Sequence, residues 1–421
     1  MFPLSSLLKA FVRVGTLKVI DAKGDTHTFS GEPGPDVTIR ISDPSLYYRM
    51  FINPELRAGE AYMDGSITME GGSSLRDFLA LYAINCEGLE NHPVQRVMRS
   101  ISMALRRMQQ NNVTRRARNN VAHHYDLGNA FYKLFLDDDM HYSCAYFEHE
   151  NDTLEEAQRN KLRLIASKMN LQPGNRVLDI GSGWGGMAIY LATVADVEVL
   201  GITLSTEQCE LANQRARDAG VADRVRFELR DYRDIDEKFD RIVSIGMFEH
   251  VGAQHYRTYF DKVRDVLDED GVALIHSIGH MAPPNFTNAW LRKYIFPGGY
   301  CPALSEVMEA VEPTGLWVND IEILRLHYAK TLREWNRRFQ ANRDTVEAMY
   351  DARFCRMWEF YLYGTEMVFE EAEEMVFQLQ LAHKRDAVPI TRDYIAERQR
   401  RFQAWEAERE APIRRIASSG D

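Results

Sequence analysis

The spacing of apolar and polar residues divides the chain into stretches that predict different structures. Residues 16–42 alternate apolar and polar positions around turn-forming residues, as in TLKVIDAKGDTHTF and DVTIRIS, which is typical of half-buried strands. An apolar repeat with helical spacing then runs from Leu75 to about Leu105. The short apolar run at the N-terminus lacks a small-residue cleavage site, so we interpret it as a helix rather than a signal peptide. Residues 1–105 are therefore predicted to form a small α+β unit.

From Arg176 onward, strand-like and helical segments alternate. The strand-like segments are RVLDIG, VEVLGITLS, RVRFELRD, RIVSIGMFE and VALIHSIG, with helical stretches between most of them. This alternation implies a parallel sheet covered by helices on both faces, so the predicted fold class is α/β with a doubly wound sheet. After about Lys330 the sequence becomes charged with helical spacing. We interpret the last stretch, residues 386–421, as a peripheral helical tail with a frayed end.

Charge narrows the range of partners. The chain carries 51 basic and 62 acidic residues, a net charge of −11, which disfavours a general nucleic-acid binder because polyanions repel an acidic surface. The balance reverses between Asn91 and Ala122, where no acidic residue occurs and where seven arginines are found: Arg96, Arg99, Arg106, Arg107, Arg115, Arg116 and Arg118. This run is either a solvated linker or a patch that binds an anionic surface, and we assign residues 106–121 to a basic linker.

Cysteine use and hydropathy indicate the compartment. The five cysteines are odd in number and lack CxxC spacing, which favours a reducing compartment over a disulfide frame or a zinc ribbon. No apolar run reaches the roughly 18 residues that a membrane span needs. The protein is therefore predicted to be soluble and cytoplasmic. Separately, the histidines and carboxylates do not have the spacing of a metal site, so no metal is predicted.

The segment VLDIGSGWGG, residues 177–186, places glycines at a predicted turn between a strand and a helix. Gly181, Gly183 and Gly186 have G-x-G-x-x-G spacing, in which the first glycine permits a tight turn and the second lets a ligand approach the backbone. A dinucleotide site would place an acidic residue about 20 positions further on. The chain instead offers Thr203 and Ser205 there, which disfavours NAD. A tight turn without a ligand remains an alternative at this point.

A series of short blocks carries a specific resemblance. These blocks occur in an order and with a spacing that are known from one protein family. They are HHYDLGNAFY, YSCAYF, LEEAQRNKL, VLDIGSGWGG, GITLSTEQ, DRIVSIGMFEHVG, ALIHSIG, IFPGGY and HYAKTLREW. The chain thereby resembles the cyclopropane fatty acid synthase family of S-adenosylmethionine-dependent methyltransferases from about Ala122 to Phe377. AGEAYMDG, residues 58–65, resembles the accessory domain of the longer bacterial members.

The resemblance implies a domain organisation. It implies a Rossmann-like class I methyltransferase domain with a seven-stranded sheet over residues 122–385, with helical insertions around a lipid pocket. A smaller lipid- or membrane-associated accessory domain would occupy residues 1–105. The tail over residues 386–421 has no counterpart that we can place.

The resemblance also implies a cofactor site for S-adenosylmethionine. The loop glycines would pack against the methionine part, the GITLSTEQ block would bind the ribose, and the two residues before Arg233 would lie at the adenine. Many members have Gly-Trp where this chain has Asp-Tyr, although a tyrosine ring can still stack. Two residues of YSCAYF would close over the cofactor. The implied set is Tyr142, Ser143, Gly181, Gly183, Thr203, Leu204, Gln208, Asp231 and Tyr232.

A bound bicarbonate is the general base that the resemblance implies. Its ligands would be the backbone amides of Cys144 and Ile278, the side chains of His276 and Tyr328, and the carboxyl group of Glu249, which can hold the bicarbonate proton. Cys144 would then act through its backbone and would not be a nucleophile. Each residue also has a structural explanation, because Glu249 could cap a helix, His276 could be a satisfied core histidine, and Tyr328 could be ordinary packing.

The function that the resemblance implies is transfer of a methyl(ene) group to the cis double bond of unsaturated phospholipid acyl chains, giving a cyclopropane ring. A related fatty-acyl C-methyltransferase with a methyl-branched or methylene product is the first alternative. A noncatalytic cofactor- or lipid-binding module and an NAD oxidoreductase are the others. We expect peripheral association with the anionic inner face of the membrane, no nucleic-acid partner, and a homodimer as one possibility for an oligomeric state that the sequence leaves open.

Overall fold

The N-terminal part of the chain forms a four-stranded mixed sheet covered by helices. The computed structural model describes residues 1–109 and 127–418. The strands are β1 (Val14–Ile20), β2 (Thr26–Ser30), β3 (Glu32–Ile41) and β4 (Ile67–Glu70), and their spatial order is β2-β1-β3-β4. The helices are α1 (Leu4–Phe11), α2 (Leu46–Ile52), α3 (Pro54–Met63), α4 (Leu75–Glu90) and α5 (Pro93–Gln109). Every second residue of β1 is buried, as the alternating pattern of this region predicts.

The second part of the chain is built on a seven-stranded sheet. Its strands are β5 (Arg176–Ile180), β6 (Glu198–Thr203), β7 (Val225–Leu229), β8 (Phe239–Ile245), β9 (Leu267–His280), β10 (Trp317–Ile323) and β11 (Glu374–Ala382). Their order is β10-β11-β9-β8-β5-β6-β7. β11 runs antiparallel to both of its neighbours, whereas β5 to β9 pair in parallel. The predicted doubly wound α/β fold with a seven-stranded sheet is confirmed.

Helices cover both faces of this sheet. Ile242 and Val243 are neighbours on β8, yet they belong to different apolar clusters, because successive side chains of a strand point to opposite faces. A strand covered on both sides reads as a continuous apolar run, which is why these segments were recognisable in the sequence. The helices next to the sheet are α7 (Leu154–Lys168), α8 (Gly186–Ala195), α9 (Thr206–Asp218), α10 (Tyr256–Val266) and α12 (Leu304–Val311).

The remaining helices include a long insertion before the last strand. They are α6 (Asn129–Tyr132), α11 (Ala289–Tyr294), α13 (His327–Ala341), α14 (Arg343–Met349), α15 (Ala352–Glu371) and α16 (Asp393–Ser418). The helical interpretation of the region after Lys330 is correct for α13 to α15, but it missed β11, although FQLQL, residues 377–381, alternates apolar and polar residues as a strand does. β11 lies between β9 and β10 in the sheet. In sequence it comes directly after the helices of the insertion, whose apolar residues have helical spacing.

Helix α15 connects the two parts of the molecule. It packs against α13 on one side and against α3 and α4 on the other. Glu366 is 1% exposed at this junction and lies 3.3 Å from an Arg76 nitrogen and 2.9 Å from an Arg333 nitrogen. Met367 belongs to the N-terminal apolar cluster, whereas Trp358 belongs to the cluster of the larger domain. Both cores therefore share this helix.

The first half of α16 is anchored to the sheet domain. Glu406 accepts hydrogen bonds from Arg163 at 2.6 Å and from the Tyr190 hydroxyl at 2.6 Å, and Phe402 is buried. Arg115, Arg116, Arg118 and Ala122, which belong to the predicted basic run and to the start of the predicted catalytic domain, lie outside the described residues. Among the helices that the structure describes, none combines the length and the hydrophobicity that a membrane crossing requires.

Candidate active site

The glycine loop connects β5 to α8 with a backbone that other residues rarely adopt. The φ angles are +82° at Gly181, +54° at Gly183 and +84° at Gly185. A Cβ on Gly181 would lie 2.7 Å from the Cβ of Met247, whereas a Cβ on Gly183 would meet no atom of the described residues within 4 Å. Gly181 is therefore required by packing, and Gly183 borders open space.

A cavity bordered by many polar side chains lies beside this loop, and we call it the polar cavity. All nine residues of the predicted cofactor set line it: Tyr142, Ser143, Gly181, Gly183, Thr203, Leu204, Gln208, Asp231 and Tyr232. The Thr203 hydroxyl donates to Gln208 Oε1 at 2.9 Å, which joins two buried residues on adjacent elements. Asp231 accepts two hydrogen bonds from the Arg233 guanidinium, at 2.8 and 2.7 Å, so its carboxylate is oriented by a neighbouring side chain.

Lys161 is a residue of this cavity to which the sequence analysis gave no role. It is fully buried on α7, and its Nζ donates to Ser143 Oγ at 3.0 Å. Burial lowers the pKa of Lys161 to about 8, against the opposing effect of Asp137. Burial also raises the pKa of Asp179, at the end of β5, to about 7. The signal in the sequence was a lysine near the end of LEEAQRNKL, four residues after Ala157 and four before Ile165, which is the spacing of one helix face.

A second, mostly apolar cavity adjoins the first. The five predicted anion-site residues line it: Cys144, Glu249, His276, Ile278 and Tyr328. Four residues line both cavities: Tyr142, Ser143, Gly246 and His250. The structure thus brings every residue of the two predicted sets to two adjoining spaces that share a wall.

Glu249 places a buried carboxyl group in the second cavity. It lies on a short 3₁₀ helix, Phe248–His250, and its Oε1 accepts the Ile278 amide hydrogen at 2.7 Å. Its Oε2 is buried and has no hydrogen-bond partner within the described residues. Burial raises the pKa of Glu249 to about 7, although the Ile278 hydrogen bond opposes this shift. The Ile278 amide, which we expected to face an anion, is thus engaged by Glu249, and an anion would have to share it.

His276 is held by a chain of hydrogen bonds that reaches across the sheet. It stands opposite Gln378 in the β9–β11 pairing, and Gln378 Nε2 lies 3.2 Å from its Nδ1. Lys168 donates to Gln378 Oε1 at 2.7 Å, which fixes which end of that amide faces the imidazole. Gln378 therefore donates to Nδ1, and the imidazole proton resides on Nε2. Burial, together with the charges of Lys161 and Lys168, lowers the pKa of His276 to about 3.

We expect His276 to remain neutral and protonated at Nε2 between pH 5 and pH 8. The reason is that its pKa is about 3 and its Nδ1 is occupied as an acceptor. Nitrogen-15 NMR of labelled histidine should show this tautomer. Gln378→Glu replaces the donor by an acceptor, so it should move the proton to Nδ1 and raise the pKa. An unchanged tautomer in a folded Gln378→Glu protein would show that Gln378 does not orient the ring.

Cys144 has the properties of a structural thiol. Its Sγ is buried and donates to Ala145 O at 3.2 Å, and burial raises its pKa. A thiolate nucleophile requires the opposite shift. His141, the nearest histidine in sequence, is paired through Nδ1 with Asp137 at 2.7 Å and lines the polar cavity. Tyr328 is also buried, with its ring packed against Trp335 and Phe369.

Comparison with known proteins agrees with this arrangement. Residues 112–379 match the family model for mycolic acid cyclopropane synthetase. The cyclopropane-fatty-acyl-phospholipid synthase of Escherichia coli strain K12 is 37% identical over 341 residues, which cover 81% of this chain and 86% of that protein. A probable fatty acid methyltransferase of Pseudomonas putida is 35% identical over 356 residues, covering 82% of this chain and 87% of that protein.

A solved structure shows the same fold with a bound cofactor product. The mycolic acid cyclopropane synthase CmaA1, complexed with SAH and CTAB, aligns with a TM-score of 0.59 at 35% identity, over 63% of this chain and 97% of that chain. The family match covers more than half of the chain, and it includes every residue around the two cavities that the sequence analysis singled out. The chain therefore belongs to the mycolic acid cyclopropane synthetase family and is an S-adenosylmethionine-dependent methyltransferase of the cyclopropane-fatty-acyl-phospholipid synthase type.

Proposed function

We propose that this enzyme transfers a methyl group from S-adenosylmethionine to the cis double bond of unsaturated phospholipid acyl chains and forms a cyclopropane ring, with bicarbonate as the general base. The observation that carries the proposal is the shared wall between a polar cavity and an apolar one. Tyr142, Ser143, Gly246 and His250 line both. A methyl group can pass between a polar cofactor and an apolar chain only where two such spaces meet.

The polar cavity suits the cofactor that the family uses. S-adenosylmethionine supplies an electrophilic methyl group. The open space beside Gly183 allows a ligand to contact the backbone. The buried amine of Lys161 and the carboxyl group of Asp179 both line this cavity and offer a basic and an acidic group for an amino-acid moiety. The CmaA1 structure holds SAH, the form that this cofactor takes after losing its methyl group.

The apolar cavity suits a small anion that can accept a proton. Methyl transfer to an alkene leaves a carbocation, and a proton must then leave from the new methyl group for the ring to close. Bicarbonate supplies a base that a sulfonium does not readily methylate. His276 can donate from Nε2, and Glu249 Oε2 has no hydrogen bond within the described residues, so these two groups can hold an anion and its proton. Tyr328 lines the same cavity and carries a hydroxyl group that could add a further donor.

The product distinguishes this proposal from its main alternative. Loss of a proton from a neighbouring chain carbon would instead give a methyl-branched alkene. A methylene chain would need a hydride shift to the cationic carbon before the methyl group loses a proton. The Pseudomonas putida relative is named a probable fatty acid methyltransferase. Ring closure and methylene formation add the same atoms, so intact mass cannot separate them. Proton NMR of lipids from cells that express the protein should show the high-field signal of cyclopropane methylene protons. Added one-carbon mass with vinylidene or branched-methyl signals alone would overturn the cyclopropane assignment.

We expect Cys144→Ser to retain most of the wild-type activity. The substitution keeps the backbone amide at position 144 and exchanges one small buried group for another, whereas a nucleophile would be lost. Initial rates on unsaturated phospholipid vesicles, with thiol-reagent labelling in parallel, measure this. Complete loss of activity in a folded Cys144→Ser enzyme, together with a trapped covalent intermediate, would restore the nucleophile interpretation.

The membrane is the partner that brings the substrate, and we propose that α5 binds it. Val97, Ile101 and Leu105 are spaced four residues apart and are 59%, 48% and 42% exposed, so they form an apolar stripe on one face of the helix. No acidic residue lies between Asn91 and Ala122. An amphipathic helix with basic residues lies in the interface of a bilayer that contains anionic lipids. Among the arginines whose side chains the structure describes, Arg99 lies over the Phe286 ring and Arg106 lies 3.5 Å from Glu306, so these two contact the protein body.

Replacing Val97, Ile101 and Leu105 together with Ser should abolish most binding to anionic vesicles at low and high salt, because the apolar contribution is not screened. Replacing Arg96 and Arg107 with Gln should weaken binding at low salt only, by about 1 kcal/mol for each arginine near the surface. Leu229→Ser is a matched control, because Leu229 is 54% exposed on β7. Vesicle co-sedimentation measures the binding of all three variants. Unchanged binding of the triple variant would rule out α5.

A further inference from the structure

The apolar cavity does not end at the reacting groups. The same continuous space that contains Glu249 and His276 extends along α15 into the core of the N-terminal domain. There it is lined by Leu7, Phe11, Ile39, Met50, Leu79 and Ala83. These residues belong to α1, α2, β3 and α4. The small domain therefore encloses part of a cavity that begins at the catalytic groups.

The N-terminal end of this space has the character of a binding chamber for an alkyl chain. Leu7, Ile39 and Ala83 are 1%, 2% and 5% exposed, so its walls are buried. Protein cores are normally packed without large voids, and an apolar cavity stays dry and binds apolar ligands. An ester or a headgroup would lose its hydrogen bonds there, which is costly. The methyl-terminal end of a lipid chain has no such cost.

Gly364 marks the connection between the two ends of the cavity. It lies in the middle of α15 and lines the cavity together with Phe360 and Val368, which are four residues away on either side and hence on the same helix face. In the part of the chain that the structure describes, a Cβ at position 364 would meet nothing within 4 Å. Glycine inside a helix costs about 1 kcal/mol relative to alanine, so its presence here calls for another reason. Its reason in this structure is the room it leaves beside the helix.

We propose that the N-terminal domain receives the methyl-terminal segment of the reacting acyl chain and thereby selects the number of carbons beyond the double bond. The inference rests on the proposed function, since it assumes an acyl substrate. The double bond must reach the space between Glu249, His276 and the cofactor cavity, so the depth of the chamber limits the carbons that can lie beyond it. The carboxyl-terminal segment and the headgroup remain outside this chamber.

The test uses the full-length enzyme and phosphatidylglycerols whose unsaturated chains share one carboxyl-side length and differ in the number of carbons after the double bond. Gly364→Leu should lower kcat/KM selectively for the longest methyl-terminal segments, roughly fourfold for each methylene excluded from the chamber. Substrates with the shortest segments should react as with wild type. Gly364→Ala adds a single carbon to the same wall and should give a smaller loss that is confined to the same substrates. Ala83→Leu, at the far end, should affect only the longest segments.

Several outcomes would overturn the proposal. The first is that folded Gly364→Leu keeps the wild-type dependence of kcat/KM on the length of the methyl-terminal segment. The second is that it loses kcat/KM equally for every substrate. A profile that follows the length of the saturated neighbouring chain would assign the chamber to the second acyl chain instead. A binding measurement separates this proposal from the proposed function, because it needs no turnover. A phospholipid with a nitroxide near its methyl terminus should broaden the Ala83 methyl NMR signal, whereas a nitroxide near the carbonyl should not, and the reverse result would refute the chamber.

Discussion

Glu249→Gln should lower the rate of methyl transfer by about 10²- to 10⁴-fold, the range expected when a group that handles a proton in the reaction is lost. Glu249 holds the Ile278 amide through one oxygen and leaves the other buried without a hydrogen bond in the described part of the chain. Glutamine keeps the shape and can still accept from Ile278, but its NH₂ group presents hydrogens where a bicarbonate proton would be held. Cofactor affinity, measured by calorimetry, should change little, because Glu249 does not line the polar cavity.

Glu374→Gln provides the matched control for this variant. Glu374 lines the same cavity from the start of β11, and burial raises its pKa to about 7 as well. It stands opposite His280 rather than Ile278, so its substitution should have a much smaller effect on the rate. Equal losses in the two variants would show that the cavity requires buried carboxyl groups in general and would remove the special role of Glu249.

Glu249→Gln should also change how the free energy of unfolding depends on pH. The pKa of Glu249 is about 7 in the folded protein and close to the ordinary value of 4.5 in the unfolded chain, so the folded state binds more protons between these values. The free energy of unfolding contributed by this group therefore falls as pH rises from 4.5 to 7. Relative to wild type, Glu249→Gln should gain up to about 3 kcal/mol across this window. Denaturant unfolding of the cofactor-free protein at several pH values measures the difference.

Gly183→Val should weaken S-adenosylmethionine binding by about two orders of magnitude or more. A Cβ at this position enters the open space of the polar cavity, and valine adds two further carbons there. Valine is also strained at a φ of +54°, at a cost of about 1–2 kcal/mol. Isothermal titration calorimetry with S-adenosylmethionine measures the affinity directly.

Gly174→Val separates the two effects of that variant. Gly174 has a φ of +77° and an equally open Cβ direction, but it lies in the turn before β5 and does not line the cavity. It should lose a comparable amount of stability and keep the wild-type cofactor affinity. If Gly183→Val were folded and bound the cofactor as tightly as wild type, the cofactor would not lie against this loop.

Local pattern was sufficient for the parts of the fold in which one segment determines its own structure. Strands β5, β6 and β9 are covered on both faces, so their sequences are nearly continuous apolar runs that stand out beside helical spacing. The glycines before α8 were recognisable because positive φ angles are restrictive. β11 also carries a local signal, the alternation FQLQL at residues 377–381, which the helical interpretation of this region missed. Its place beside β9 could not be read from the sequence, because a long helical insertion separates the two strands.

The candidate site was accessible from the sequence only as a set of residues. The blocks that resemble the family identified the residues of both cavities, since those roles depend on order and spacing along the chain. They did not reveal that the Ile278 amide is taken by Glu249, nor that Lys161 is buried next to Ser143. These contacts join residues that are 29 and 18 positions apart, and their distances depend on how separate elements pack.

The sequence by itself therefore determined the fold class, the family, the position of the glycine loop and the residue types of the two cavities, because each of these follows from periodicity, backbone restriction or ordered motifs. Only the tertiary structure decided the protonation and orientation of His276, since its partner Gln378 is 102 residues away and meets it through the register of β11 against β9. The tertiary structure alone also decided that α15 joins two cores and that one apolar cavity passes through both, because a cavity is defined by side chains from elements that no local pattern relates.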